Sequence, residues 1–152
     1  MKVAICPNVD VYNFKGFLVG DGTEPIEDDE ILYRRIVLDQ YSDEGGLTRL
    51  AFKSWPYDKT GLSVFRAKYT TPKDVAQNDR GKQYWVAELL AGDLRNSKLR
   101  VAPRVEGHLP GHAEITSLTY DNRHDDASLE ANRRLTHELC LRILGPFPEV
   151  VK

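Results

Sequence analysis

His112-Ala113-Glu114 is the first place in this chain where residue types and spacing could do chemistry. A histidine that binds zinc, followed by a glutamate that shuttles protons to a metal-bound water, is the pattern of zinc-assisted base deamination, but that chemistry also needs two thiolates downstream. Only Cys140 follows, inside a predicted helix, and the other cysteine, Cys6, stands at the opposite end of the chain. His108, His112 and Glu114 could group around a metal, yet loop-and-strand spacing of this kind is common by chance, so no metal ligand is assigned. Serine hydrolases hold their nucleophile on a Gly-x-Ser-x-Gly turn, which is missing. The three glycines between Gly16 and Gly22 lack both the phosphate-loop spacing and its Lys-Ser/Thr pair, and no dinucleotide fingerprint joins a strand to a helix.

The elements that must position any site read as follows. Ile31 to Leu38, Leu47 to Phe52 and Leu62 to Ala67 are expected strands, separated by turn chemistry at Trp55-Pro56-Tyr57-Asp58-Lys59-Thr60-Gly61. Thr71-Pro72-Lys73-Asp74 is a helix start, with Thr71 as cap and Pro72 at the first helical position, so a short helix is expected near 72–77. Tyr84 to Leu90 reads as a buried strand stopped at Gly92, and Leu99 to Val105 and Ala113 to Tyr120 as further strands. Asp125 to Leu144 carries an apolar stripe of Ala131, Leu135, Leu139 and Ile143, which predicts a long C-terminal helix near 126–144.

The fold class expected is therefore α+β, one domain over 1–152 with a bent mixed or mainly antiparallel sheet. Residues 1–30 are expected to be a partly irregular segment, in which Val9, Val11, Phe14 and Phe17 to Val19 could form a short strand or hairpin. The acidic run Asp21, Glu24, Glu27, Asp28, Asp29 and Glu30 reads as a solvated loop, with the ordered core beginning near Ile31.

With 152 residues, 41% apolar and 29% charged, the chain has an ordinary globular composition, long enough to bury a core without disulfides. The formal net charge is −2, and Lys and Arg are spread along the chain. No strong nucleic-acid signal follows, since phosphate neutralisation over a broad surface needs clustered cations; only local clusters such as Arg34-Arg35 and Arg133-Arg134 stand out. No membrane segment or signal peptide is legible, and a reducing cytoplasm is the expected compartment.

The order of these elements resembles the ADP-ribosyltransferase fold over roughly residues 31–120. Gly61-Leu62-Ser63-Val64-Phe65-Arg66-Ala67 and Val86-Ala87-Glu88-Leu89-Leu90-Ala91-Gly92-Asp93 are similar to two strand segments of the poly(ADP-ribose) polymerase-like branch. Phe65 stands where that branch has its stacking tyrosine, and Arg34 in Leu32-Tyr33-Arg34-Arg35 fits better with the arginine-serine-glutamate branch or the RES-type bacterial toxins. The Gly-Gly-Arg-Trp segment of the toxins is absent, with Glu44-Gly45-Gly46-Leu47-Thr48-Arg49 nearby.

The resemblance implies an enzyme that uses NAD as a substrate, an ADP-ribosyltransferase or an NAD glycohydrolase, with no prosthetic group. It implies that Glu114 stabilises an oxocarbenium-like ribose, that Arg34 grips phosphate, that Ser63 orients the site, and that Phe65 or Tyr69 packs against a base or nicotinamide ring. Leu32 to Arg35, Ala51-Phe52-Lys53 and Gly61 to Pro72 also look similar to small bacterial proteins without an assigned function. The competing expectation is a non-catalytic accessory or regulatory domain that acts by binding a protein partner.

Overall fold

The computed structural model describes residues 21–105 and 111–148; the expected N-terminal hairpin, Cys6 and His108 lie outside the described residues. In chain order the strands are β1 (Ile31–Val37), β2 (Tyr41–Ser42), β3 (Gly46–Leu47), β4 (Leu62–Arg66), β5 (Tyr84–Leu90), β6 (Val101–Pro103), β7 (His112–Ile115) and β8 (Arg142–Leu144). The helices are α1 (Pro72–Val75), α2 (Ala91–Asn96) and α3 (Asp126–Arg134), the last continuing through a π-helical turn, Leu135–Leu139. Six strands form one antiparallel sheet in the order β6-β7-β4-β1-β5-β8, and β2 and β3 make a separate small hairpin. Among the described residues no helix is long and apolar enough to cross a membrane. The α+β expectation holds.

The sheet has apolar packing on both faces, with a few buried polar side chains, Arg34, Arg66 and Glu88, set among them. Leu32 and Ile36 of β1, Ala87 and Leu89 of β5, Leu62 and Val64 of β4, and Ala113 and Ile115 of β7 meet α2, Leu99 and the α3 stripe Ala131, Leu135 and Leu139 in the main core. The opposite face places Tyr33 and Val86 against Val75 of α1 and Ala76 just past its end, with Phe65, Leu144 and Phe147 around them. The β1–β5 ladder runs in register from Ile31↔Leu90 to Val37↔Tyr84, so every second side chain has a settled face. At α1 the expected cap forms: the Asp74 amide donates to Thr71 Oγ1 at 3.2 Å.

Several expectations change; among them, the strand expected over Ala113 to Tyr120 ends at Ile115 and turns follow it. The C-terminal helix ends at Leu139, and Arg142–Leu144 instead extends the sheet along β5. The free edge of β5 offers ladder partners that a further helical turn would not use, and Arg142 grips Glu88 through both carboxylate oxygens at 2.8 and 3.1 Å while Ile143 still reaches the core. Leu47 to Phe52 forms only the two-residue β3 followed by turns, yet Ala51 and Phe52 are 5% and 0% exposed. Those apolar residues plug the core from a loop rather than from a strand. β5 ends at Leu90 as expected, and Gly92 sits in the first turn of α2, where the Asp28 carbonyl lies 2.9 Å from the place a Cβ would occupy.

The acidic segment is a loop with Asp21, Glu27, Asp28 and Asp29 exposed, as expected, but it is anchored to the core. Ile26 is 3% exposed and belongs to the main core. Arg66, fully buried, bridges Glu30 through Nε and Nη2 at 2.9 and 2.8 Å and donates Nη1 to the carbonyls of Gly22 and Glu24. Arg66 thereby pins the segment to the end of β4.

Candidate functional site

The geometry of interest begins where β1 and β4 part. Their ladder holds Leu32 against Arg66 and Tyr33 against Phe65 and then stops, leaving the Ser63 carbonyl without a strand partner on that side. The Arg34 guanidinium takes the vacancy, donating from Nη1 to Ser63 O at 2.9 Å. Arg34 is only 5% exposed, and among the described residues its Nε–H has no partner and no carboxylate hydrogen-bonds it. Burial pulls its pKa below the usual arginine value, a shift opposed mainly by the charge of Asp58. A buried cation with an unsatisfied donor is costly, and such groups concentrate where a ligand completes them.

Beside it, Arg35 is locked by its own bonds, from Nε to Val75 O at 2.7 Å and from Nη2 to Gln77 O at 3.2 Å. Its guanidinium carbon lies 5.1 Å from the Phe65 ring centre and 5.4 Å from that of Tyr84. Both arginines line a cavity of about 260 Å³ together with Trp55, Tyr57, Ser63, Phe65 and Tyr84. The cavity is cationic, aromatic-walled and held by the sheet.

Ser63 supplies a reactive group to this wall. Its Oγ lies 2.7 Å from His112 Nε2, and His112 Nδ1 lies 2.9 Å from the Arg104 carbonyl. A carbonyl only accepts, so Nδ1 carries the proton, and in the neutral imidazole Nε2 is left to accept the Ser63 hydroxyl proton. A hydroxyl, an imidazole and a carbonyl that orients the imidazole thus stand in the order that hydroxyl catalysis needs. The sheet sets this up by register: Phe65 pairs with His112 and Ser63 with Glu114, so the alternate residues of β4 and β7 share one face.

Among the residues expected from sequence, Arg34, Ser63 and Phe65 line one cavity. Glu114 lies directly opposite Ser63 in the ladder, but its carboxylate accepts the Thr60 hydroxyl at 2.8 and 2.9 Å and does not line that cavity. Tyr69 is elsewhere, donating its hydroxyl to Glu24 at 2.6 Å and accepting from the Gly22 amide at 2.9 Å. Burial and the Glu24 carboxylate push the Tyr69 phenol up to about 12. Sequence reasoning misses Arg35, Trp55, Tyr57, Tyr84 and the Arg104 carbonyl as members of the site, and it brings His112 into view only as a metal ligand. The period-two alternation of β7 could have linked His112 to Glu114, but the pairing of β4 with β7 carries no local sequence signal. Among the described residues no three His, Cys, Asp or Glu side chains are grouped to hold a metal ion.

Cys140 offers no competing nucleophile. Burial pushes its thiol up to about 11, so it is protonated at neutral pH.

Gly61 keeps β7 in place. A Cβ there would meet Glu114 Cβ and the Ile115 carbonyl at 2.9 Å each, and the carbonyl has no freedom to move away. Gly61→Ala is expected to shift β7 and cost about 1–3 kcal/mol, read from the urea midpoint. A loss below about 0.5 kcal/mol would mean that this approach is not tight.

No family model matches the chain, and neither a curated protein nor a solved structure does.

Proposed function

We propose that the protein hydrolyses a phosphate ester or anhydride of nucleotide type, with Ser63 as nucleophile and His112 as general base. The observation that carries this reading is the Ser63 Oγ–His112 Nε2 contact at 2.7 Å, made by a residue that lines a cavity shared with Arg34 and Arg35. Arg34 and Arg35 suit the phosphate oxygens, and Trp55, Tyr57 and Tyr84 offer faces to a ring. In the step itself, Ser63 Oγ attacks phosphorus while its proton passes to His112 Nε2. The imidazolium, steadied by the Arg104 carbonyl, then protonates the departing oxygen, and a water activated by the same ring releases the phosphoryl group from Ser63. Arg34, with an Nε–H still to be satisfied, stabilises the charge that develops.

NAD belongs to this ligand class, having a pyrophosphate and two rings. Glu114, opposite Ser63, favours a second reading in which the nicotinamide–ribose bond breaks; it requires the carboxylate to leave Thr60.

The test is to incubate the purified protein separately with NAD, ATP and bis(p-nitrophenyl) phosphate and identify the products by proton NMR and absorbance. Phosphate or phosphodiester cleavage that Ser63→Ala abolishes supports the hydrolase. Nicotinamide release lost in Glu114→Gln but retained in Ser63→Ala supports the second reading instead. Turnover of none of the three overturns both.

A further inference from the structure

A second cavity, of about 360 Å³, shares the Leu50 wall with the first. Arg49, Lys53, Arg123 and Arg133 line it, with His124 and His137. Together with Arg34 and Arg35, six arginines and lysines face the two cavities, and no carboxylate lines either one among the described residues. The whole chain carries 21 basic and 23 acidic residues, so a surface drawn evenly from it would present both signs. Cations from residues 34 to 133 have been brought to one track, and an extended anion is what such a track attracts.

The details favour nucleotides as the anion. Among the described residues Arg49 and Lys53 enter no ion pair, and Arg123 is held by the Tyr120 ring at 3.6 Å and the Tyr120 carbonyl at 2.6 Å, so its charge is not cancelled by a carboxylate. Arg133 contributes least, because Glu130 and Glu138 share it. On the α3 side, Asn132 Oδ1 and Thr136 Oγ1 are buried without a hydrogen-bond partner, and both residues line the second cavity. They are groups that a base edge or a sugar hydroxyl would satisfy. Tyr57 is 73% exposed and Trp55 36%, and Leu50 and Leu129 are exposed at 41% and 51%; flat rings stack on such surfaces, whereas the carboxylates of an acidic peptide gain nothing from them.

We propose that the substrate of the Ser63–His112 site is a single-stranded nucleic acid, running from the β1–β4 cavity across Leu50 into the second cavity. This rests on the hydrolase reading above and names its substrate class. A mononucleotide fills one cavity only; two cationic cavities in series with a common wall call for a chain of successive phosphodiesters.

The test uses fluorescein-labelled 12-nucleotide strands of RNA and of DNA, with the matching duplex, in fluorescence anisotropy at 50 to 200 mM salt. Single strands are expected to bind more tightly than AMP or the duplex, with affinity falling as salt rises. Arg49→Glu/Lys53→Glu is expected to weaken strand binding at least tenfold and, like the milder Arg49→Gln/Lys53→Gln pair, to flatten the salt slope by about 0.7 for each phosphate that is no longer neutralised. Hydrolysis of bis(p-nitrophenyl) phosphate should be unchanged in both pairs, which also shows that they fold. Tighter binding of the RNA strand would point to recognition of the 2′-hydroxyl, and equal binding to recognition of the backbone and bases alone; either supports the track. Strands that bind no better than AMP, or bind both variants as well as the wild type, would overturn the track while leaving hydrolysis of the small phosphodiester standing. Charge-sensitive strand binding without any hydrolysis would support the track and remove the hydrolase reading.

Discussion

His112→Gln is expected to lower kcat for the cleaved phosphodiester by about 10²–10⁴-fold with little change in KM, because the imidazole acts on the proton that moves in the transition state. The ground-state grip belongs to other residues. If Arg34 and Arg35 hold the phosphate before and during reaction, Arg35→Gln should raise KM more than it lowers kcat. Ser63→Ala should match His112→Gln in effect, and the double variant Ser63→Ala/His112→Gln should be no slower than either alone, since a nucleophile without its base and a base without its nucleophile fail in the same way. Each single change removes the Ser63–His112 hydrogen bond and costs about 1 kcal/mol of stability, which urea denaturation separates from the kinetic loss. Losses that multiply in the double variant would mean that the two residues do not act as a unit, and the Ser63–His112 hydrogen bond would then be structural.

That pair shows what a sequence of this kind reveals and what it hides. Tyr84 to Leu90 is legible to the residue, because a strand buried on both faces reads as a mostly apolar run, broken here only by Glu88, bounded by polar or helical signals. The stripe of Ala131, Leu135 and Leu139 is legible because helical periodicity is local. The end of that helix is not, since Arg142–Leu144 answers to the open edge of β5, more than fifty residues earlier in the chain. The same divide runs through the site. Arg34 and Ser63 stand out by residue type and element order, but the reason they meet is that the β1–β4 ladder stops after Tyr33 and Phe65. The cations at 49, 53, 123 and 133 look dispersed in one dimension and adjoin only after the loop carrying Ala51 and Phe52 docks near α3.

Arg66→Met is expected to destabilise the protein by about 3–5 kcal/mol at pH 7, among the largest single losses available to the fold. Methionine nearly fills the volume but donates nothing. Glu30, whose side chain is 9% exposed, would keep a charge with its two-pronged partner gone, and the carbonyls of Gly22, Glu24 and Pro25 would lose their donors. Adding Glu30→Gln to Arg66→Met should recover part of the loss, because a half-buried charge left with only the Lys68 cation at 3.7 Å is then removed. The pH dependence carries the same signature. Burial raises the carboxyls of Glu24 and Glu30, but bonds from Tyr69 and Lys68 to the first and from Arg66 to the second outweigh it, so both fall below their ordinary value of 4.5, Glu24 to about 2. A group depressed by folding stabilises the native state above its unfolded pKa and gives that stability up as pH falls toward the folded value. Wild-type stability should therefore decline from about pH 5 down to about pH 2. Glu130 and Glu138 on the far helix and its π turn are depressed as well, yet they keep their partners in both proteins. The difference between the two pH curves thus isolates the Arg66 cluster: the Arg66→Met curve should be flatter over that interval, and urea midpoints at pH 7, 4.5 and 3 measure it. Parallel curves, or a loss under about 1 kcal/mol at pH 7, would mean that the acidic segment is held by Ile26 and its own backbone rather than by this arginine.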